Sequence, residues 1–274
     1  MNTINNLDSL RAMTGLRDAN AQITQSSERL STGLRINRSS DDVGGMAVAN
    51  GLKTQIASFN KVLDNVSQGS TVANLIDTSL TQIVDILGYM RVAAVASESD
   101  TLSTAERTAY QDEIDAYATA IDTIASNSTW NGTSLLSSAS TMTIQTGVNS
   151  GDSTTLTLDE ITASELAVDS LSTTSTTTAS SAVDYIDTAL DTVNTYQAYI
   201  GSMVNVMDSQ YNVATNAITN YSAAYGSIMN TDYAAESASL ASAQIQRDGA
   251  TAMLIQGNGL NRSLVDYLLS SVTS

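Results

Sequence analysis

The hydrophobic positions fall into long series at helical spacing, interrupted once by a stretch with a different period. From Ile4 the series Ile4, Leu7, Leu10, Met13, Leu16 continues to Ile23 and Leu30. It predicts an amphipathic helix that Gly33 can end. A second series reads Leu52, Ile56, Phe59, Leu63, Val66, slips in phase near Ser70, and resumes as Ala73, Ile76, Leu80, Ile83, Leu87, Met90, Ala94. Ser40 or Asp41 can cap this helix, which would be about 85 Å long if continuous. A third helix begins near Ser103 and carries Tyr110, Ile114, Tyr117, Ile121 and Ile124. The most sustained series is Val183, Ile186, Leu190, Val193, Gln197, Ile200, Val204, Met207, Tyr211, Ala214, Ile218, Tyr221, Tyr225, Ile228. Its strict three–four spacing, with Gln197 the one plainly polar member, describes a coiled-coil-like partner surface. The last helix, from about Ala234 to Leu269, carries Leu240, Leu254, Leu260, Leu264 and Leu268.

The helical period disappears between these series. In residues 126–181, 28 of 56 residues are Ser or Thr, too many hydroxyls for an amphipathic helix. "TMTIQTG" and "STTLTL" alternate around "VNSGD" and predict a β-hairpin. "STTSTTTASS" is of low complexity and reads as an exposed loop or linker. The expected fold is therefore mainly α: long antiparallel helices packed as a coiled-coil-like bundle, with a small β-hairpin region in the middle.

Composition narrows the chemistry. Proline is absent, so nothing forces a kink in a long helix. Cysteine and histidine are absent too, which removes disulfides, thiolate nucleophiles, the usual general base and the usual neutral metal ligand. Residues 1–61 hold seven basic and five acidic residues, a net of +2, and the remainder carries −19, which together give −17. A body this acidic repels nucleic acid and anionic membranes. The N-terminus has no uninterrupted apolar segment of secretory type, and no run of eighteen apolar residues suggests a span.

Candidate sites for chemistry are weak. The stretch "ERLSTGLRINRSSDDVGGMAVANGLKTQI" (28–56) has no Gly-Lys-Ser/Thr and is no phosphate cradle. Asp112, Glu113 and Asp115, like Asp184, Asp187 and Asp191, read as solvated helix faces. "NSGDS" has too few carboxylates for a calcium loop. Tyr211, Tyr221 and Tyr225 hold seam positions, so packing explains them. Asn127-Ser128-Thr129 and Asn131-Gly132-Thr133 match the glycan acceptor pattern, which by itself assigns nothing. No catalytic, metal or cofactor site is expected.

Four separated stretches resemble bacterial flagellins, in that family's order. "SSERLSTGLRINRSSDDVGGMAVANGL" resembles the signature between its first two helices. "TWNGTSLL" resembles the Phe-Asn-Gly turn after its third helix, with Trp130 in place of Phe. "IQTGVNSGDSTTLTL" resembles its β-hairpin, and "DYAAESASLASAQIQRDGATAMLIQGNGLNRSLVDYLL" its C-terminal helix. The resemblance implies a structural, non-enzymatic subunit that self-assembles into the flagellar filament for motility. "ELAVDSLSTTSTTTASS" stands where larger members insert outer domains, which implies a minimal form without them.

On this resemblance, residues 1–33 and 235–274 would be inner-tube helices and 34–45 a connector. Residues 46–234 would be a shell domain, with helices 46–98, 103–126 and 182–230 and a β-hairpin region 127–181. Ile4, Leu7, Leu10, Met13, Leu16, Ile23, Leu254, Leu260, Leu264 and Leu268 would form the inner-tube subunit interface. Such stripes are expected to be disordered in a lone subunit and to order on association. In the connector, Gly33 and the Gly44-Gly45 pair allow turns, Asp41 and Asp42 suit a helix N-terminus, and Arg29, Arg35 and Arg38 can pair within the chain or with a neighbour.

The implied partners are the chain itself as a helical homopolymer, hook-associated and cap proteins, a flagellar export chaperone and the type III export apparatus. Nucleic acid and membrane insertion are not implied. The implied location is the extracellular filament, reached without a cleaved signal peptide. Many flagellins are detected by Toll-like receptor 5 through a motif resembling Leu-Gln-Arg-Ile-Arg-Glu-Leu. At the matching positions this chain has Tyr89, Arg91 and Val92, so the first arginine and the glutamate are missing. Two other readings are a hook–filament junction protein, which has flagellin-like ends, and a non-flagellar coiled-coil binding protein.

Overall fold

The computed structural model describes residues 7–272. In chain order the elements are α1 (Leu7–Thr32), α2 (Val43–Ser97), α3 (Thr104–Asn127), β1 (Thr129–Trp130), β2 (Thr133–Ser134), β3 (Ser140–Gln145), β4 (Ser153–Leu158), α4 (Thr176–Met229) and α5 (Tyr233–Val272). The fold is mainly helical, with long helices that pack on one another and two small antiparallel hairpins, β1–β2 and β3–β4. The chain divides into two compact units, one of residues 1–54 with 220–274 and one of 55–219.

The 55–219 unit holds the main core. Along α2 one continuous buried series is Val62, Val66, Gly69, Ala73, Ile76, Leu80, Ile83, Leu87, Met90 and Ala94, with Val72, Ser79 and Ala93 buried beside it. In that series the steps of four and three never break, so the phase slip expected near Ser70 is absent. Gly69 holds the position that looked empty in the sequence. A Cβ there would stand 2.7 Å from Ile144 Cδ1, so the bare backbone makes room for a side chain from β3. By composition one window of α2 is long and apolar enough to cross a membrane, yet its apolar stripe is this core. Gly69→Val should displace Ile144 and destabilise the unit by about 1–3 kcal/mol, the usual cost of overpacking. Denaturant unfolding of the monomer measures it; an unchanged midpoint would contradict this seating.

On α4 the buried series is Ala182, Ile186, Ala189, Val193, Tyr196, Ile200, Met203, Met207 and Ala214. One half of the expected seam, Ile186, Val193, Ile200, Met207 and Ala214, lies at its centre. Val183, Leu190, Gln197 and Val204 flank it half-buried. The buried series itself holds two positions per heptad, as in a two-helix coil, and the half-buried flank widens the stripe where the hairpin region also packs on α4. Gln197 Nε2 donates to Thr81 Oγ1 of α2 at 3.1 Å, which satisfies the polar seam position. Tyr211 is exposed, so packing in the seam does not account for it.

The Ser/Thr-rich middle is more ordered than its composition suggests. "STTSTTTASS" is no linker: Ser175 Oγ accepts from Thr178 N–H at 3.2 Å and starts α4, and Ala179 and Thr173 are buried. The approach to it, 159–175, is fastened to α3. Asp122 accepts the Ala163 N–H at 2.8 Å, and Gln111 takes the Thr173 N–H at 2.7 Å while donating to Leu171 O at 2.8 Å. Apolar residues every few positions, Ile161, Ala163, Leu166, Val168 and Leu171, turn inward. Two tyrosines of α4 hold β4. Thr157 N–H donates to Tyr199 Oη at 2.9 Å, and Tyr196 Oη accepts from Asp159 N–H and donates to Thr157 O, both at 3.2 Å. Burial pushes the Tyr196 phenol up to about 12.

Candidate functional site

In the unit of residues 1–54 and 220–274, α1 and α5 pack along each other. The least exposed positions of α1 are Ser9, Ala12, Leu16, Ala19, Ile23, Ser26 and Leu30, a three–four repeat. On α5 they are Glu236, Leu240, Ala243, Arg247, Ala250, Leu254 and Gly257, again at three–four spacing. Small residues alternate with larger ones such as Leu16, Ile23 and Leu254 in this seam. Ala19, Ser26 and Ala243 are almost wholly buried in it.

The large apolar side chains mostly point elsewhere. Leu10 is 61% exposed and Met13 55%, and Leu7, Ile245, Met253, Ile255, Val265 and Leu269 are exposed as well. The expected interface residues therefore separate into two sets. Leu16, Ile23 and Leu254 lie half-buried in the α1–α5 seam, while Leu7, Leu10 and Met13 face away from it. Ile4 and the side chains of Leu260, Leu264 and Leu268 lie outside the described residues. Sequence reading by hydrophobicity found the outward stripe and passed over Ser9, Ala12, Ala19, Ser26 and Ala243. Their heptad spacing was the available signal.

The two connectors meet in a short backbone clasp. Gly33 ends α1 at φ 71°, which a glycine adopts without strain. Leu34 bridges to Asn230, Arg35 N–H donates to Met229 O at 2.6 Å, and Thr231 N–H donates to Gly33 O at 3.0 Å. Ile36, Ala49 and Met229 form a small core beneath it. Asp42, not Ser40 or Asp41, caps α2: its Oδ1 accepts the Gly45 N–H at 2.8 Å. A Cβ on Gly45 would clash with that carboxylate and with Ile36. Asp41 instead accepts the backbone N–H groups of Arg38 and Asn37, at 2.9 and 3.0 Å.

The three connector arginines are all engaged inside the chain. Arg29 pairs with Glu236 across α1 and α5 at 3.5 Å, and Arg38 pairs with Glu28 at 3.0 Å. Arg35 donates to Ile228 O at 2.8 Å and so supplies a cation at the C-terminal end of α4, whose last turn has none. In the other unit Arg91 grips Asp187 with Nε and Nη2, at 2.5 and 3.1 Å, and ties α2 to α4. Tyr89 and Val92, beside it, are 59% and 69% exposed, and the Tyr89 ring stacks on Tyr117 at 6.1 Å.

Hydrogen bonds from the backbone of Arg38 and Asn37 hold the Asp41 carboxyl below the usual carboxylate range, and the hydrogen bond from Arg91 does the same for Asp187. A carboxylate held low in the folded state stabilises at neutral pH, and its contribution disappears as pH falls through the folded value. Asp41→Asn and Asp187→Asn should therefore be less stable than wild type near neutrality and converge with it only as pH falls through the lowered folded value of each carboxyl. Thermal melts across that window test the sign; a difference that grows on acidification would reverse it.

No group of three or more Asp or Glu residues is placed to hold a metal ion among the described residues. The carboxylates singled out in the sequence serve local roles: Glu113 accepts from Tyr117, Asp115 from Gln111 and Asp187 from Arg91.

Residues 4–141 match the bacterial flagellin N-terminal helical region, and residues 183–268 match the bacterial flagellin C-terminal helical region. The chain belongs to the bacterial flagellin family. It is 30% identical to a flagellin of Halalkalibacterium halodurans over 265 residues, covering 94% of this chain and 97% of that one. It is 27% identical to the flagellar filament 33 kDa core protein of Treponema phagedenis, covering 96% and 98%. Its fold is also that of a Vibrio parahaemolyticus structure assigned as a flagellar hook-associated protein, with a TM-score of 0.59 at 15% identity over 69% of this chain and all of that one. Flagellin is a structural protein family, and this chain is a structural subunit of the flagellar filament. It is a flagellin without outer domains.

Proposed function

We propose that α1 and α5 form the inner tube of the filament, and that their exposed apolar faces are covered there by other copies of the chain. The observation that carries this is the separation of the two faces: Leu16, Ile23 and Leu254 lie with small residues between α1 and α5, and Leu7, Leu10, Met13, Ile245, Met253 and Ile255 lie outside. Six large side chains left in water in one helix pair are worth covering at roughly 1.5–3 kcal/mol each. Residues 34–45 serve as the connector to a shell built from 46–234. Arg29, Arg35 and Arg38 stiffen that connector from within the chain, and Asp41 and Asp42 organise its turn. The reading includes no catalytic step. It includes export through the type III apparatus without a cleaved signal peptide, a chaperone for the unassembled chain, and end contacts with hook-associated and cap proteins. Cryo-electron microscopy of filaments grown from seeds tests it: residues 7–32 and 233–272 should line the axis. A filament with those helices on its outside would refute it.

Recognition by Toll-like receptor 5 is proposed to be weak. A receptor surface that pairs a guanidinium and a carboxylate would meet the exposed Tyr89 ring and Val92, and Arg91 is already occupied by Asp187. Two polar groups left unpaired on the receptor would weaken binding by about two to three orders of magnitude. In a reporter-cell assay, Tyr89→Arg with Val92→Glu should gain signalling over wild-type monomer. Strong signalling from the wild type contradicts the proposal.

A further inference from the structure

Three Asn–Gly pairs occur in the chain: Asn50-Gly51, Asn131-Gly132 and Asn258-Gly259. The first lies within α2 and the third within α5. Asn131 and Gly132 alone form a turn, the two-residue connection of β1 to β2, with Trp130 paired to Thr133. Their φ values are 49° and 80°. Positive φ at both central residues of a two-residue hairpin is a type I′ turn. Asn131 is exposed, and its carboxamide has no hydrogen bond among the described residues.

We propose that Asn131 is the site at which the native chain deamidates spontaneously. The Gly132 backbone nitrogen attacks Asn131 Cγ and closes a five-membered imide. The N–H proton passes to the departing side-chain nitrogen, which leaves as ammonia. Water then opens the ring at either carbonyl, giving aspartate or isoaspartate. One water is consumed, one ammonia is released, and the chain gains one negative charge.

Backbone geometry selects this pair. Ring closure needs Asn131 Cβ to eclipse the Gly132 nitrogen about the Cα–C bond, which sets ψ near about −120°, the value of the first central residue of a type II′ turn. Type I′ becomes type II′ by one flip of the peptide between the two central residues. Gly132 accepts either sign of φ, and both turns close a two-residue hairpin. The attack geometry is thus reached with the strands still paired. In α2 and α5 the backbone is held at helical ψ and the glycine N–H lies within the i to i−4 ladder, so Asn50 and Asn258 must wait for local unwinding.

The two products differ in consequence. Aspartate suits a type I′ turn as well as asparagine does. Isoaspartate adds a methylene to the backbone and cannot close the same two-residue turn. Beyond that turn Leu135 and Leu136 are fully buried, and Leu135 N–H donates to Ser128 O at 2.9 Å. Isoaspartate at 131 therefore loosens the seat of β1–β2 in the core.

The test ages the full chain at mildly alkaline pH, native and in denaturant, and quantifies isoaspartate at each site by peptide mapping. In the native monomer, conversion at Asn131 should exceed that at Asn50 by about ten-fold or more, and denaturant should bring the two sites level; Asn258, in a helix that opens readily before assembly, is not a comparator. Native conversion at Asn131 no faster than at Asn50 overturns the proposal. Asn131→Asp should melt with wild type, and material enriched in isoaspartate at 131 should melt lower. Coincident melts of all three would overturn the structural consequence.

Discussion

A chain carrying Leu10→Asp and Met13→Asp should keep a folded 55–219 unit and fail to polymerise. Both side chains are more than half exposed in the single chain, so the substitutions remove little packing there. In the filament each would lose about 1.5–3 kcal/mol of burial and place a carboxylate against an apolar neighbour, at further cost. The loss recurs at every subunit added, so growth from seeds should stop rather than slow. Deleting residues 1–30 or 240–274 should have the same outcome, because either truncation removes one partner of the α1–α5 seam. Electron microscopy after seeding measures it, and filaments of normal length from any of these variants would contradict the assignment of the outward stripe.

The second large effect is expected at Arg107. This residue is 8% exposed, and its guanidinium sits at the C-terminal end of α2, where it donates to the carbonyl oxygens of Ser97 and Ser99. The last turn of α2 has no basic residue of its own, so a cation from α3 satisfies the orphan carbonyls and the helix dipole. Arg107→Ala leaves the buried Ser97 carbonyl without this donor, while Ser99 is exposed to water, and should destabilise the unit by about 1–3 kcal/mol. Arg107→Lys should recover only part of this, since one ammonium does not span the two carbonyls as the planar fork does. Denaturant unfolding of monomer distinguishes the cases. An Arg107→Ala midpoint within error of wild type would show that water satisfies those carbonyls equally well.

Arg107 also marks what the sequence made legible and what it hid. The helices were legible because apolar residues at three–four spacing impose one face, and the β3–β4 hairpin because alternation around a Gly-Asp turn imposes another. Gly69 was hidden, since hydrophobic periodicity cannot count a position filled by a side chain from elsewhere; Ile144 lies 75 residues along the chain. The α1–α5 seam was half hidden. Leu16 and Ile23 belonged to the expected stripe, but Ser9, Ala19 and Ser26 bury as small residues where two helices approach closely, and size rather than hydropathy selects them. "STTSTTTASS" misled because composition says nothing of a cap: one hydroxyl, that of Ser175, starts a long helix whose first buried residue is Ala179. The arginine roles were hidden because backbone carbonyls, the acceptors for Arg35 and Arg107, leave no trace in side-chain spacing.

Hydrogen exchange of α1 and α5, compared between monomer and filament, tests most directly whether the outward faces of these helices require other copies of the chain. The expected result is low protection of residues 7–32 and 233–272 in the monomer, a rise of several orders of magnitude on assembly, and little change within 55–219. Terminal helices already protected in the monomer to the level seen in the filament would contradict the account.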